Sequence, residues 1–194
     1  MVIPENVERY SVGEGIRIAS STLTPTKIEK LYTHPKIWII RIQKMRCAQR
    51  IVCALDDRLN SAGMKTLQII VSTTDDISKL KYLVALLSSK LLNFWCINYL
   101  ADDMNQSYLE RIPVRTIDSL KSSEFTLQKK VVQHVDQMYS LNKQNVLIEA
   151  ESQKEIIKRQ ISAIDHGLDQ LVYELYGLTE EEIKIVEDAT RNEV

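Results

Sequence analysis

Four cations stand close together in the chain: Arg41, Lys44, Arg46 and Arg50. Side chains of this type neutralise phosphates, and binding built on them weakens as salt rises. Lys36 opens the same basic segment. Two polar stretches add the other residue types that a nucleic-acid reader needs. Arg58, Asn60 and Lys65 lie in one, and Asn105, Gln106 and Ser107 in the other. Arg, Lys, Asn and Gln carry the donors and acceptors that match base edges in a DNA groove. Each of these residues, taken singly, also reads as a solvated loop residue. Trp38 and Trp95 flank apolar runs and read as core, not as base-stacking side chains.

Charge is divided along the chain. Between Lys36 and Lys65 there are seven Lys or Arg and two Asp, a net of +5. Between Glu149 and Val194 there are five basic and twelve acidic residues, a net of −7. The overall net charge of −1 hides this division. A basic segment ahead of an acidic, helical end suits a polyanion-binding face beside a solvated scaffold.

Catalytic patterns are missing. The sequence has no Asn-Pro-Pro-aromatic motif of the DNA adenine methyltransferases and no glycine motif for their cofactor. It has no Gly-Lys-Ser/Thr loop for a nucleotide and no serine or cysteine in an elbow-like glycine context. The Gly13-Glu14-Gly15 turn is too short to cradle phosphate. Glu182-Ile183-Lys184 has the Glu-x-Lys spacing of restriction nucleases, but it falls inside a helix with its own capping signals. No cofactor and no metal is expected. The three cysteines lack metal-ligand spacing, and with no signal peptide they point to a reducing cytoplasm. The most apolar run, Tyr82 to Leu100, is interrupted by Lys90, Asn93 and Asn98 and reads as a buried helix, not a membrane span.

The elements that would position these residues follow from periodicity. KIWIIRI (36–42), RIVCAL (50–55) and TLQIIVS (66–72) read as strands of a mostly antiparallel sheet. Asp76 can cap one helix from Ile77 to Tyr99, whose Leu80, Leu83, Val84, Leu87, Leu91 and Trp95 share a face. Residues 101–108 read as a polar loop and 109–117 as extended, with Pro113 opposing a helix. A second helix starts at Thr126. The last helix carries a seam of Ile157, Ile161, Ile164, Leu168, Leu171 and Leu175 at alternating spacings of four and three, a coiled-coil-like pattern. It pairs with the helix before it or continues it as one kinked rod. Gly177 ends that helix, and Thr179 with Glu182 opens the next as a capping box. The fold class is therefore α/β in the α+β sense: a mixed, mostly antiparallel sheet with a packed helix, then long C-terminal helices ending in a helix-turn-helix hairpin.

Several stretches also resemble one family. YELYGLTEEEIKIVE (173–187) is similar to the C-terminus of type IIG restriction–modification enzymes. Pro35-Lys36-Ile37 with Ile39-Ile40-Arg41, Leu86-Leu87-Ser88-Ser89-Lys90-Leu91 and Leu109-Glu110-Arg111-Ile112-Pro113-Val114 resemble three motifs of TaqI-like C-terminal specificity domains, in the family's order. Such domains also serve adenine-specific DNA methyltransferases. Ser88 stands where the family usually has Asn, and Arg111 where it has Gln. The resemblance implies a target-recognition domain that binds double-stranded DNA for a methyltransferase or endonuclease part, with catalysis located elsewhere.

On this reading, residues 1–125 recognise DNA and residues 126–194 form a helical scaffold that docks the catalytic partner. The chain is expected not to be an enzyme on its own. A module that dimerises through the Ile157–Leu175 seam, without nucleic acid, is the alternative. A degenerate nuclease centred on Glu182 is a third.

Overall fold

The computed structural model describes residues 1–14, 33–41, 49–58, 61–72, 74, 76–99, 104–118 and 120–191. The chain opens with a 3-10 turn at Pro4–Asn6, followed by a small antiparallel hairpin of β1 (Val7–Glu8) and β2 (Ser11–Val12). The main sheet has β3 (Lys36–Ile40) at its centre, with β4 (Cys53–Asp56) and β5 (Leu67–Val71) antiparallel to it on either side. The β3 sequence KIWII is apolar at consecutive positions because both faces of a central strand are covered. Ile37 and Ile39 enter the main core on one face, and Trp38 packs with Val2, Val7, Ala54 and Leu67 on the other.

Register explains what covers the Trp38 face. Asp56, at the end of β4, pairs with Lys36, whereas Leu67, at the start of β5, pairs with Ile40. The chain between them must therefore run the length of the sheet. Gly63 lies so close to the Trp38 ring in this crossing that an added Cβ would sit 2.3 Å from it. A bridge between Gly63 and Val2 ties the N-terminus down on the same face.

The other face carries α1 (Ile77–Ser88), capped by Asp76, which accepts from the backbone of Ser78 and Lys79. The single helix expected from Ile77 to Tyr99 is in fact two. The chain breaks at Ser89, and α2 (Lys90–Tyr99) leaves at 59° to α1. Ser89 has extended φ and ψ, its hydroxyl donates to the Leu86 carbonyl at 2.7 Å, and its oxygen takes the Leu92 N–H at 3.3 Å. A side chain that bonds to neighbouring backbone on both sides competes with a continuous helix. No single helix among the described residues is long and apolar enough to cross a membrane.

The stretch expected to be extended from 109 to 117 also differs. Asn105 caps a short α3 (Gln106–Leu109), and turns continue it to Ile112. The irregular segment begins only at Pro113, which cannot donate a backbone hydrogen bond.

Two 26-residue helices follow, α4 (Ser122–Leu147) and α5 (Glu151–Tyr176). The helix expected from Thr126 starts at Ser122. The three residues between α4 and α5 reverse the chain, and Gly167 of α5 lies against His134 of α4. The helices thus form an antiparallel hairpin, not one rod. The Ile157–Leu175 seam faces inward: Ile157, Leu168 and Leu175 are buried, and Ile161, Ile164 and Leu171 pack on the core. Gly177 adopts φ +71° after α5, and the capping box of Thr179 and Glu182 opens α6 (Glu180–Ala189). One hydrophobic cluster runs from Ile37 and Ile39 through Leu86 and Leu87 to Val135 and Val172. It crosses residue 125 without interruption.

Candidate nucleic-acid interface

The sheet register separates the basic residues singled out in the sequence into two groups. At the Lys36 end, charge is consumed within the fold. Lys36 is fully buried, and its ammonium donates to the hydroxyl of Ser61 at 3.0 Å and lies 5.8 Å from the Trp38 ring centre. Burial holds it below the usual lysine range, against the pull of Asp56. The Asp56 side chain is itself buried and accepts from Trp38 Nε1 at 2.8 Å and Arg58 Nε at 2.7 Å. Burial pushes the Asp56 carboxyl up, but these donors outweigh it and leave it below its ordinary value. Arg58 also donates to the Gly13 carbonyl, so its guanidinium fastens the β1–β2 hairpin to the end of β4. Asn60 lies outside the described residues.

Arg50 is likewise only 2% exposed. Lys36 and Arg50 therefore do not present surface charge as expected. Lys36 opens the central strand of the sheet, and Arg50 precedes Ile51, which is bonded to Asn93 of α2. Residue type records a preference for water, and here tertiary packing overrides it.

The opposite end of the sheet gathers the remaining candidates among the described residues. The Arg41 N–H donates to the Thr66 carbonyl at 3.1 Å, and the Met104 N–H donates to the Arg41 carbonyl at 2.7 Å. Two backbone bonds thus join the exit of β3, the turn holding Lys65, and the chain that enters α3. Arg41 is half-buried, and Lys65, Gln106 and Ser107 are exposed. Asn105 is partly occupied in capping, accepting from Tyr108 N at 3.3 Å and Ser107 Oγ at 2.6 Å. The Gln106 amide donates to Glu110 at 2.9 Å. Lys44 and Arg46 lie outside the described residues. Among the described residues no cluster of His, Cys, Asp or Glu could hold a metal ion.

The Leu86–Leu91 motif has a different task. Ser88 and Ser89 are buried at the α1–α2 break, where several distant segments meet. Arg9 donates to the Ser88 carbonyl at 2.5 Å and is paired with Asp165 of α5. Lys90 reaches Glu187 of α6 at 2.5 Å, while its N–H donates to Asp169. Asn93 takes the N–H of Ile51 at 2.8 Å and donates to the carbonyls of Leu87 and Ser89. The motif is a structural hub that joins hairpin, sheet and C-terminal helices. Arg9 was not singled out in the sequence, and Asn93 only as a polar interruption of an apolar run, because Ser88, Asp165 and Ile51 are remote from them in the chain.

The strand leaving Pro35, the buried Ser-Ser-Lys hub and the Ile-Pro turn after α3 are the positions of the three resembling motifs. The family model of the TaqI-like C-terminal specificity domain matches residues 4–114. The chain belongs to this family. No curated protein matches it. The match takes in the sheet, α1, α2 and α3 of the specificity domain and ends before the long helices. The conspicuous 173–187 stretch therefore lies outside the matched region. A TaqI-like specificity domain is a non-catalytic unit, and the family suggests DNA recognition within restriction–modification enzymes.

Proposed function

We propose that this chain binds double-stranded DNA through the end of the sheet where β3 exits, and reads a target sequence for a methyltransferase or endonuclease part. Family membership over residues 4–114 carries the reading. The backbone links from Arg41 to Thr66 and Met104 support its placement, because they bring three separate polar segments to one edge. Arg41, Lys44, Arg46 and Lys65 would position phosphates. Asn105, Gln106 and Ser107 would approach base edges. Lys36, Arg50 and Arg58 contribute to the framework instead.

The hairpin of α4 and α5 serves as scaffold in this proposal, with residues 126–194 facing the catalytic partner in a type IIG arrangement inside the cytoplasm. Dimerisation through the Ile157–Leu175 seam has less support, since that seam is spent on packing within the chain.

Fluorescence anisotropy with a labelled mixed-sequence duplex tests the reading. Binding should fall steeply between 50 and 200 mM salt, the behaviour of a protein that displaces several counterions. Absence of binding at low salt, or affinity that does not change with salt, would overturn it.

A further inference from the structure

The C-terminal end of α2 presents an aromatic stack that the core does not require. Tyr99 is 62% exposed, and its ring stacks on Trp95 with centroids 5.5 Å apart and planes 29° from parallel. Trp95 is held from below, packed against the main core. One ring is thus anchored and the other is offered to solvent on top of it.

Its position follows from how α2 runs along the chain entering β4. Ser88, the last residue of α1, lies against Cys53, with Oγ and Sγ 3.4 Å apart. Asn93, in the first turn of α2, takes the N–H of Ile51. Cys96, a turn further, is fully buried. The α1–α2 junction and the first half of α2 thus lie against residues 53 and 51, which lead back from β4 toward the end of the sheet where β3 exits. Val52 bonds to Ile40 at that edge, and Met104, which bonds to Arg41, follows Tyr99 by five residues. The five residues from Tyr99 to Met104 span about 17 Å at most, so the end of α2 lies within that reach of the surface assigned to DNA.

We infer that Tyr99, braced by Trp95, is a stacking platform for a nucleobase that is unpaired or displaced from the duplex. This rests on the DNA-binding reading above and specifies a contact within it. The geometry selects the occupant. A ring face can meet a base face only where the base has lost a stacked neighbour, because inside a continuous duplex both faces are covered. An aromatic side chain stacks on any base, since every base has a π-face. An exposed tyrosine fixed by a second ring is pre-oriented for such a contact and has few rotors left to immobilise. The contact is therefore insensitive to base identity and complements the polar residues of the α3 entry.

Two duplexes of the same sequence, one with a single unpaired adenine, serve as probes for the full chain at fixed low salt. The wild-type protein is expected to favour the bulged duplex, with Tyr99→Ala losing roughly 5- to 150-fold on it, the range of base–aromatic stacking. Affinity of Tyr99→Ala for the fully paired duplex should stay close to wild type, which also shows that the variant is folded. Tyr99→Phe keeps the ring and should keep the preference. An unchanged ratio in Tyr99→Ala, or loss of the preference in Tyr99→Phe, would overturn the stacking role while leaving DNA binding intact. Failure of the wild-type protein to bind either duplex would overturn the DNA reading and this contact with it.

Discussion

The backbone N–H of Lys90 donates to Oδ1 of Asp169 at 2.9 Å, closing a separation of 79 residues. This bond fastens α5 to the first turn of α2, where an unpaired N–H is otherwise left by the helix geometry. The other carboxyl oxygen, Oδ2, is buried and makes no hydrogen bond. Arg9, Asp165 and Lys90, whose ammonium lies 3.9 Å from Oδ2, act on the group, so a fold-defining contact is built on a carboxyl in a mixed field.

Burial, opposed in part by the Lys90 N–H and by Arg9, pushes the Asp169 carboxyl up to about 6 from an ordinary 3.8. The folded protein thus holds this proton more tightly than the unfolded chain does. The stability contributed is complete below about pH 4 and is lost as pH rises to about 6. The shift corresponds to ~3 kcal/mol. Asp169→Asn keeps an oxygen for Lys90 and removes the titration. Urea unfolding at pH 4 and pH 7.5 should show the variant gaining on the wild type at the higher pH by about that amount. An equal difference at both values would exclude Asp169 as the source.

Tyr139 of α4 closes the outer edge of the sheet. Its hydroxyl oxygen accepts from the Leu55 N–H at 2.5 Å, a donor on a strand that has no further neighbour in the sheet among the described residues. Covering such a donor prevents it from recruiting another strand. Tyr139→Phe leaves the N–H buried without that acceptor and should cost about 1–3 kcal/mol. Thermal unfolding would measure the loss, and an unchanged midpoint would show that water replaces the hydroxyl.

Gly63 tests the crossing over the sheet. An alanine Cβ would lie 2.3 Å from Cζ3 and 2.7 Å from Cη2 of Trp38, and the indole is fixed by its hydrogen bond to Asp56. Rotating the ring away would break that bond. Gly63→Ala should therefore cost about 1–3 kcal/mol, as overpacked cores do. A wild-type denaturation midpoint together with unchanged fluorescence of Trp38 would refute this account.

What the sequence disclosed depended on the range of the interaction. Gly177 and the Thr179–Glu182 box were readable because every partner lies within a few residues, and both occur as expected. The β-branched run at 36–40 was equally plain. At Ser89 the local signal was only a serine able to bond backbone three residues away on either side, and the hub there is completed by Arg9, Ile51, Asp169 and Glu187 from elsewhere in the chain. The start of α4 was missed because Lys121 stands at its N-cap without a side-chain bond. At the interface, charge type identified candidate cations but not which of them the fold would bury. Arg58 could have been judged better, since Asp56 lies only two residues away.

That contrast gives the last prediction. Arg58 and Lys65 come from the same connection and carry the same charge, but they lie toward opposite ends of the sheet. Arg58 is committed to Asp56 and Gly13, whereas Lys65 is exposed in the turn next to the Arg41–Thr66 link. Removing a cation that touches a phosphate lowers the slope of log affinity against log salt by about one. Lys65→Ala should reduce the slope in that way and leave the unfolding midpoint unchanged. Arg58→Ala should do the reverse: it strips the buried Asp56 carboxylate of its paired cation, lowers stability, and leaves the slope of the folded protein intact. Duplex binding at four salt concentrations, with urea unfolding on the same samples, would compare the two. Equal slopes for the wild type and Lys65→Ala would remove Lys65 from the phosphate-contacting set, and a reduced slope in Arg58→Ala would move the DNA-facing edge to the other end of the sheet.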